Sequence, residues 1–379
     1  MAVSDVGARP CLAVVTGVRP QYLKLVPLQR AARGSVAVRW WFIDAGQHYD
    51  HSLAEQYHRE YGLRFDRSLR CGRPGDRPLD VLARMIVACH DALAADGPDA
   101  CVVLGDTNTT YAAARAAHEL GIPIAHLEAG NRARTRRIED VNRHAVDDMA
   151  GLHVASSRSD LQALAEQGRG ATSRFAGDLM ADLCAEALAT VRAAGDGADG
   201  AGPDGSDGTG PARPDGAFAV VALHHPQSLA GPETLRRVIA AVDALGLAGV
   251  LVQHPRARLV MAQGGLIVPS TWVVHDALPH RDLLRLVRAG AVTVTDSGGL
   301  QRECAYVGRR AVVVQEHPFW PWLVEAGVNV AVAPAGDVAA AVKSALEPWI
   351  GTVDEFGTPG TVGGTTVRLL EEWVLDGCR

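Results

Sequence analysis

The sequence predicts an α/β protein made of two doubly wound domains in tandem, each with a parallel sheet covered by helices on both faces. Three observations predict this class. Short apolar runs alternate along the whole chain with longer Ala- and Leu-rich stretches of helical period. The short runs, such as CVVLG and AVVVQ, are almost entirely apolar, as expected of strands buried on both faces. One stretch without large apolar residues separates the two halves.

The first half contains five strand candidates, which lie at residues 11–17, 36–46, 100–106, 122–128 and 152–157. Between them lie helical patterns such as LDVLARMIVACHDALAA and NTTYAAARAAHELG, in which apolar residues recur every three or four positions. Alternation of strands with helices predicts parallel pairing. We therefore assign residues 1–192 to an N-terminal Rossmann-like domain.

Residues 193–216 interrupt the alternation. They consist mostly of Gly, Asp, Ala and Pro and contain no large apolar side chain. Such a segment cannot bury enough surface to offset the entropy that it would lose on ordering. We predict a disordered linker or insertion here.

The alternation then resumes, with strand candidates at 218–225, 249–254, 272–278, 291–299, 311–316 and 329–333. They predict a second Rossmann-like domain over residues 217–350. The remaining residues 351–379 include the amphipathic pattern TTVRLLEEWVL, which predicts a final helix at 365–375. Ligands of doubly wound sheets bind at the carboxyl ends of the strands, so we expect the two domains to face one ligand-binding cleft.

Composition limits the possible partners. The 379 residues suffice for two cores, and 47% hydrophobic with 21% charged residues is ordinary for a soluble globular protein. The formal net charge of -6 argues against nucleic acid or an anionic membrane surface as the main partner. No apolar run approaches the ~20 residues of a membrane span, and the first run is too short for a signal peptide. We expect a soluble, cytoplasmic protein.

The seven cysteines are scattered and form no C-x-x-C pair, which predicts buried, reduced thiols rather than disulfides or a zinc site. No G-x-G-x-x-G follows the first strand candidate, and the sequence has no Walker motif, no G-x-S-x-G and no recognisable spacing of metal ligands. We therefore expect no cofactor and no metal.

Carboxylates end two successive strand candidates of the first half. Asp106 ends CVVLGD and Glu128 ends IPIAHLE. Parallel strands would bring both to one edge of the sheet, where they could act as acid and base, although a single residue of this kind is more often a cap or a turn residue. Glu139 follows at the start of a helix, where a carboxylate also favours the helix dipole without any further role.

Basic side chains follow the first strand candidate. Arg19 and Lys24 lie around a helix start, where positive charge opposes the helix dipole unless an anion is bound. Lys24 is one of only two lysines in the chain, although it could also be a solvated helix residue. This segment is therefore a candidate phosphate site.

The second half contains a stronger phosphate signal. Ser297, Gly298 and Gly299 lie between a buried strand and a helix, where glycines let backbone N–H groups approach an anion, although such turns also occur as plain connections. Another strand candidate ends on His224 and His225. The residues alone therefore predict an enzyme that binds a phosphorylated or nucleotide-linked ligand.

Eight segments of the chain occur in the order found in UDP-N-acetylglucosamine 2-epimerases, so the sequence resembles that family over nearly its whole length. They are TGVRPQYLKLVPL, DAGQHYD, GDTNTTYAAARAAHELGIPIAHLEAGNR, EDVNRHAVDDMAGLHVAS, AGDLMAD at 176–182, the HH pair at 224, QHP at 253–255 and TDSGGLQRECAYVG. The resemblance implies a GT-B-like fold whose last helix returns to the first domain. It also implies a nucleotide-sugar or phosphorylated-sugar substrate and a homodimer.

The resemblance implies a mechanism as well. The family eliminates UDP across C-1 and C-2 to give a glycal and re-adds it with the proton on the opposite face, without an oxidised cofactor. This needs a general acid, a general base and stabilisation of the departing diphosphate. By motif position, the resemblance implies catalytic roles for Asp106, Glu128, Glu139 and His224. It further implies substrate or nucleotide contacts at Arg19, Lys24, Arg132, Arg143, His254, Ser297, Gly298, Gly299 and Glu303, and a regulatory site at Gln47 and His48.

The chain also departs from the family pattern. The usual R-P-E is Arg19-Pro20-Gln21, the usual P-E-E is Ile138-Glu139-Asp140, the arginine after the cleft histidine is His225, Q-E-E is Gln301-Arg302-Glu303, and T-E-R-P-E is Pro318-Phe319-Trp320-Pro321-Trp322. Aromatic bulk thus replaces a charged patch near the leaving-group side, which suggests an altered substrate.

The leading hypothesis is a 2-epimerase that interconverts UDP-N-acetylglucosamine and UDP-N-acetylmannosamine. The enzymatic alternatives are a hydrolysing 2-epimerase that releases N-acetylmannosamine and UDP, and an epimerase of a different phosphorylated sugar. An alternative of another class is a catalytically silent protein that binds a sugar nucleotide.

Overall fold

The structure is a computed structural model that describes residues 9–47, 59–131, 138–193, 210–349 and 355–379. The chain divides into two compact units, one of residues 1–183 and 354–379 and the other of residues 184–353. Each unit has its own parallel sheet. The boundary lies at 183, earlier than the predicted 192, and residues 354–379 belong to the first unit.

The first unit contains a seven-stranded sheet in the order β3-β2-β1-β4-β5-β6-β7, in which every pair is parallel. Its strands are β1 (Cys11–Thr16), β2 (Arg39–Asp44), β3 (Arg67–Ser68), β4 (Ala100–Leu104), β5 (Ile124–Leu127), β6 (Leu152–Ala155) and β7 (Ser173–Phe175). The pattern of apolar runs missed β3 and β7 because both are short edge strands with few buried residues.

Helices connect these strands, and a 3₁₀ turn, Gly170–Thr172, precedes β7. The helices are α1 (Arg19–Ala32), α2 (Pro78–Asp96), α3 (Asn108–Glu119), α4 (Ile138–Met149) and α5 (Arg158–Glu166), followed by α6 (Leu179–Ala193), which begins in the first unit and continues into the second. The strand order reverses between β1 and β4, and a doubly wound sheet opens a crevice at the carboxyl ends of strands where its order reverses.

The second unit contains a six-stranded parallel sheet in the order β10-β9-β8-β11-β12-β13. Its strands are β8 (Phe218–Ala222), β9 (Ala248–Val252), β10 (Trp272–His275), β11 (Val292–Thr295), β12 (Ala311–Val314) and β13 (Asn329–Val332). Its helices are α7 (Glu233–Ala244), α8 (Pro255–Gly264), α9 (His280–Ala289), α10 (Gly298–Tyr306), α11 (Pro321–Glu325) and α12 (Val338–Leu346). The order reverses between β8 and β11. The predicted fold class, two parallel-sheet α/β domains, is confirmed.

The last helix, α13 (Val362–Leu375), packs against α1 within the first unit. Asp182 holds its start, because one carboxylate accepts hydrogen bonds from the backbone N–H groups of Gly360, Val362 and Gly363 at 2.6–3.2 Å. These three N–H groups at the helix start would otherwise lack partners. The helix begins three residues earlier than its apolar pattern indicates.

The predicted linker is placed only in part. Residues 194–209 lie outside the described residues, whereas residue 193 ends α6. Near the other end of the segment, the Ala212 carbonyl accepts a hydrogen bond from His275 Nε2 at 2.6 Å. The stretch 210–216, which the composition predicts as disordered, therefore has a fixed partner in the second unit.

The cysteines are free thiols, and all but Cys378 are buried. Burial raises the pKa of Cys71 to about 11 and those of Cys101 and Cys304 to about 12. Within the described ranges, no helix is both long and apolar enough to cross a lipid bilayer. The same ranges contain no group of three or more His, Cys, Asp and Glu side chains that could hold a metal ion.

Candidate active site

Lys24 and Glu128 form an ion pair at the carboxyl edge of the first sheet. Lys24 lies on α1, which follows β1, and Glu128 directly follows β5. Lys24 Nζ lies 2.5 Å from Glu128 Oε2, and the two side chains are only 13% and 15% exposed. Lys24 is therefore not a solvated helix residue. Its side chain lies with the carboxylate that the motif assigns to catalysis.

The backbone at Glu128 is in the left-handed region, with φ +59°. A residue with a side chain rarely adopts this conformation, and non-glycine examples concentrate at functional sites. The neighbouring strand ends in a turn at Gly105, with φ +72°, where an added Cβ would lie 3.3 Å from Glu128 Oε2. The turn at Gly105 thus leaves room for the Glu128 carboxylate.

Asp106 follows Gly105 and contacts α4. The Arg143 guanidinium donates to the Asp106 carboxylate, and Asn142 Nδ2 donates to the Asp106 carbonyl at 3.1 Å. Arg143 and Asn142 are buried, whereas about a quarter of the Asp106 side chain is exposed. Helix α4 therefore fixes both the main chain and the side chain of Asp106, and the carboxylate remains accessible.

Two glutamines form hydrogen bonds at this edge of the sheet. Gln21, buried on α1, accepts from Gly17 N–H at 2.9 Å and donates to the Leu104 carbonyl at 2.7 Å, so it joins the turns after β1 and β4. Gln47 accepts from the N–H and hydroxyl groups of Thr109, at 3.1 and 2.9 Å. The Gln47 side chain thus stabilises the start of α3.

The remaining predicted residues of the first unit are less informative. Arg19 opens α1 and is half-buried, and that helix start has no capping side chain and no acidic residue in its first turn. Glu139 is exposed in the first turn of α4, and within the described part of the chain its carboxylate makes no hydrogen bond or ion pair. The structure therefore does not bring Glu139 into contact with Asp106 or Glu128. Arg132 and His48 lie outside the described residues.

The second unit presents the Ser-Gly-Gly turn at the end of β11. Ser297 caps α10, because its hydroxyl accepts from Leu300 N–H at 3.3 Å, and Gly298 and Gly299 form the first turn of the helix. All three residues are half-buried. A helix start of this kind suits an anion, as the sequence predicts.

Asp296 is fully buried beneath this turn and holds the end of β8. Its carboxylate accepts from His224 N–H at 3.0 and 3.1 Å and from His225 N–H at 2.9 Å, and it lies 3.2 Å from His224 Nδ1. Burial alone would raise the pKa of Asp296, but the hydrogen bonds from the His224 ring and the two backbone amides outweigh it and lower that pKa. The carboxylate thus orients the His224 ring.

Two further predicted residues lie around this turn. His254 caps α8, since its Nδ1 accepts from Arg256 N–H at 3.2 Å, and its ring centroid lies 5.7 Å from that of His224. Glu303 is buried one turn into α10, where its Oε1 lies 3.4 Å from His280 Nε2. The structure therefore brings His224 and His254 together, and it places Glu303 deeper in the unit.

A sequence model described as UDP-N-acetylglucosamine 2-epimerase matches residues 30–361. The chain belongs to this epimerase family. Membership makes it an enzyme of the isomerase kind, and this confirms the resemblance noted from the eight segments.

Two curated relatives span nearly the whole chain. A UDP-2,3-diacetamido-2,3-dideoxy-D-glucuronate 2-epimerase of Pseudomonas aeruginosa is 27% identical over 95% of this chain and 98% of its own length. A UDP-N-acetylglucosamine 2-epimerase of Methanocaldococcus jannaschii is 24% identical, with the same coverage of both chains. These relatives carry different substrate names, so identity alone does not select one sugar.

Solved structures of the family share the fold. The Methanocaldococcus jannaschii UDP-GlcNAc 2-epimerase in complex with UDP-GlcNAc and UDP matches with a TM-score of 0.82 at 23% identity, over 96% of this chain and 99% of the other. The Neisseria meningitidis UDP-GlcNAc 2-epimerase bound to UDP-GlcNAc matches with a TM-score of 0.81 at 19% identity, over 96% and 100%. The fold of this epimerase-family chain is thus that of its solved relatives.

Four departures from the family pattern contact one another around the Ser-Gly-Gly turn. The Arg302 guanidinium lies 4.3 Å from the Trp320 ring centroid, and Trp320 Nε1 donates to the Gly298 carbonyl at 2.8 Å. The Phe319 ring lies against Gly298, where an added Cβ would approach it to 3.1 Å, and 6.3 Å from the His225 ring. The departures therefore form one aromatic and cationic cluster beside the predicted phosphate site of this family member.

Sequence reasoning missed several side chains that support the site. Asp296 has no signal of its own in the sequence, because its partners His224 and His225 lie about seventy residues earlier in the chain. Gln315 donates to the Asp296 carbonyl at 2.7 Å and Gln301 donates to Gln315 at 3.3 Å, so a buried ladder supports the turn. His126 and Asp147 were also missed, since each lies in a pattern that is otherwise explained by burial or by helix formation.

Replacing Asp296 with Asn is expected to lower the free energy of unfolding of the second unit by about 2–3 kcal/mol at neutral pH, because hydrogen bonds to a carboxylate are lost. The pKa of Asp296 is lowered in the folded state, so its contribution is present above the ordinary carboxyl pKa and disappears as the pH falls through the folded value. Urea unfolding followed by hydrogen exchange of the second-unit peptides, from pH 7 to below about pH 4, checks both statements.

The matched control is Asp282→Asn, which removes a partly exposed carboxylate that pairs with Arg285 on the same helix. We expect this change to cost less than about 1 kcal/mol, as is usual for ion pairs within one helix that solvent can reach. Equal losses for the two variants would contradict the role given to Asp296.

Proposed function

We propose that this protein is a 2-epimerase that interconverts UDP-N-acetylglucosamine and UDP-N-acetylmannosamine by elimination and re-addition of UDP. The observation that carries the proposal is the pair of carboxylates after β4 and β5, Asp106 and Glu128, each bonded to a cation from a helix. Carboxylates on adjacent strand ends can take a proton from a substrate carbon and return it.

The chemistry makes two demands. In the elimination, a base takes the C-2 proton, the electrons of that bond form the C-1–C-2 double bond, and the C-1–O bond breaks with its electrons leaving on UDP. Re-addition reverses these steps with the proton delivered to the other face of C-2. We assign the proton transfers to Asp106 and Glu128 and the binding of the leaving diphosphate to Ser297, Gly298 and Gly299. Glu139 and His224 remain secondary candidates for acid–base work.

A second candidate is epimerisation of a UDP-2,3-diacetamido-2,3-dideoxy-glucuronate. Two observations favour it. The Pseudomonas aeruginosa relative of that name is 27% identical over nearly the whole chain, and the cluster of Arg302, Phe319 and Trp320 gives the surroundings of the turn an unusual chemistry. A changed sugar with an unchanged elimination would account for retained carboxylates and altered neighbours.

Incubation of the protein with either UDP-sugar in heavy water, followed by NMR, tests these proposals. Deuterium at C-2 with the UDP-sugar retained supports epimerisation by elimination and re-addition, and the substrate that exchanges faster identifies the sugar. Release of free N-acetylmannosamine with UDP would replace the proposal with the hydrolysing reaction. Absence of exchange with either sugar, when UDP still binds, would refute catalysis on both and favour another sugar or a silent binding protein.

We also propose that the protein acts as a homodimer. The resemblance to the epimerase family implies this state, and helix α2 also leaves Leu79 and Val87 exposed, at 69% and 60%. Sedimentation of the full chain tests this proposal, and a single species of monomer mass at micromolar concentration would refute it.

A further inference from the structure

His126 is a fully buried polar residue within the first sheet. It lies on β5, two residues before Glu128. Its Nε2 lies 2.6 Å from the Gly105 carbonyl oxygen, and its Nδ1 lies 2.6 Å from Asp147 Oδ1. One buried side chain thus contacts the turn that carries Asp106 while its own strand carries Glu128.

The two partners of His126 fix the orientation of its ring. A carbonyl oxygen only accepts hydrogen bonds, so Nε2 donates to the Gly105 carbonyl, and Nδ1 shares a hydrogen with the Asp147 carboxyl group. Both distances are short and both side chains are 0% exposed, so the two contacts are shielded from solvent.

Asp147 links this histidine to the partner of Asp106. Asp147 lies on α4, one helical turn after Arg143, whose guanidinium bonds the Asp106 carboxylate. The same helix thus holds Asp106 directly through Arg143 and holds the preceding peptide through Asp147 and His126. Two further groups face the pair, because His153 Nε2 and Arg169 donate to the Asp147 carbonyl at 2.8 and 3.1 Å.

His153 differs from His126 in its partners. The two residues are paired in register on β5 and β6, and both are buried. Burial lowers the pKa of His153, and its Nδ1 lies 3.1 Å from a hydroxyl, Thr172 Oγ1, rather than from a carboxylate. These hydrogen bonds of His153 lead to neither Gly105 nor Glu128.

We propose that His126, held in place by Asp147, is a positioning residue that fixes the Gly105 peptide and thereby the distance between the Asp106 and Glu128 carboxylates. This proposal rests on the proposed function, in which these two carboxylates carry out the proton transfers. An error of about 1 Å in the placement of reacting groups can cost on the order of 10²-fold in rate. His126 does not touch substrate in this proposal, and it acts through Asp106.

The test compares His126→Gln with His153→Gln. Glutamine at 126 can still donate to the Gly105 carbonyl, but its single amide group cannot bridge that carbonyl and Asp147 as the two ring nitrogens do. We expect kcat for deuterium exchange at C-2 of UDP-N-acetylglucosamine to fall on the order of 10²-fold in His126→Gln, with KM changed less than about threefold. In His153→Gln we expect kcat within about threefold of wild type. In urea unfolding we expect this variant to lose about as much stability as His126→Gln.

Asp147→Asn supplies the second comparison. An amide can accept from a neutral ring or donate to it, so we expect a partial loss of kcat, smaller than in His126→Gln, and an altered pH profile of kcat. A kcat of His126→Gln within threefold of wild type would overturn the proposal. Equal losses in both histidine variants, in parallel with stability, would also overturn it.

A spectroscopic readout separates this proposal from the proposed function. In ¹⁵N NMR of wild type, Nε2 of His126 is expected to carry the hydrogen that it donates to the Gly105 carbonyl. If neither UDP-sugar exchanges but this signature is present, the proposed function fails and the contact of His126 with the Gly105 turn stands. An Nε2 without a hydrogen would refute that contact, and with it the positioning role, whatever the activity.

Discussion

Replacing Asp106 with Asn is expected to lower the rate of deuterium exchange at C-2 by 10²–10⁴-fold, the usual contribution of a general acid or base. The amide has nearly the same size and can still accept one hydrogen bond from Arg143, but it cannot take a proton from carbon. The Kd for UDP should change less than about threefold, because the proposed diphosphate contacts lie in the other unit. NMR exchange rates and calorimetric titration with UDP measure the two quantities.

Asp148→Asn is the matched control for this variant. Asp148 lies on the same helix as Arg143. Its largely exposed carboxylate pairs with Arg169 and not with a residue at the carboxyl edge of the sheet. Exchange at the wild-type rate in Asp106→Asn would refute the acid–base role. Parallel measurements on Glu128→Gln and Glu139→Gln rank the other carboxylates, and from its exposure we expect the Glu139 variant to retain the most activity.

Replacing Trp320 with Ala is expected to raise the Kd for UDP at least tenfold and to lower the stability of the second unit by about 2–3 kcal/mol. The change removes a cation–π contact with Arg302, worth roughly 0.5–2 kcal/mol, and a hydrogen bond to Gly298, worth about 1 kcal/mol. Both contacts hold the first turn of α10, so their loss should loosen the Ser-Gly-Gly turn. Calorimetric titration with UDP and urea unfolding check the expectation.

Two further variants complete this test. Trp320→Phe separates the two contacts of Trp320, and Trp322→Ala is the control. The phenyl ring keeps an aromatic face over Arg302 but lacks the N–H, so an intermediate Kd would separate the two contacts. Trp322 lies in the short helix α11, which begins directly after Trp320, and its replacement should leave the Kd within about threefold. Similar Kd values for Trp320→Ala and wild type would show that the aromatic cluster has no part in binding UDP.

Much of the fold could be predicted because each domain repeats one simple signal. Strands buried on both faces, such as Cys11–Thr16 and Ala100–Leu104, must be apolar throughout, and that pattern is visible without any partner. The two edge strands were missed because an edge strand pairs on one side only and buries little surface. Strand ends were placed too late, as at Asp106, because residues just past a strand still follow its apolar run.

The candidate site was predictable in position but less so in detail. Residues that directly follow a strand can be recognised from sequence order alone. Asp106, Glu128 and the Ser-Gly-Gly turn could therefore be identified as site candidates. The ion pair of Lys24 with Glu128 joins residues about a hundred positions apart, and no pattern within either segment signals it. The contact between Arg302 and Trp320 was also not predictable. In the sequence, each of these residues is only a separate departure from the family pattern.

The buried cysteines provide a built-in probe of local opening. Each unit contains thiols that a labelling reagent cannot reach until that unit opens, Cys89 and Cys101 in the first and Cys304 in the second. Thiolate is the reactive form, and burial keeps its fraction low at neutral pH, so labelling should report opening rather than reactivity in the native state. Mass spectrometry after timed labelling would thus time the opening of the two units separately in the unmodified chain, without any engineered reporter.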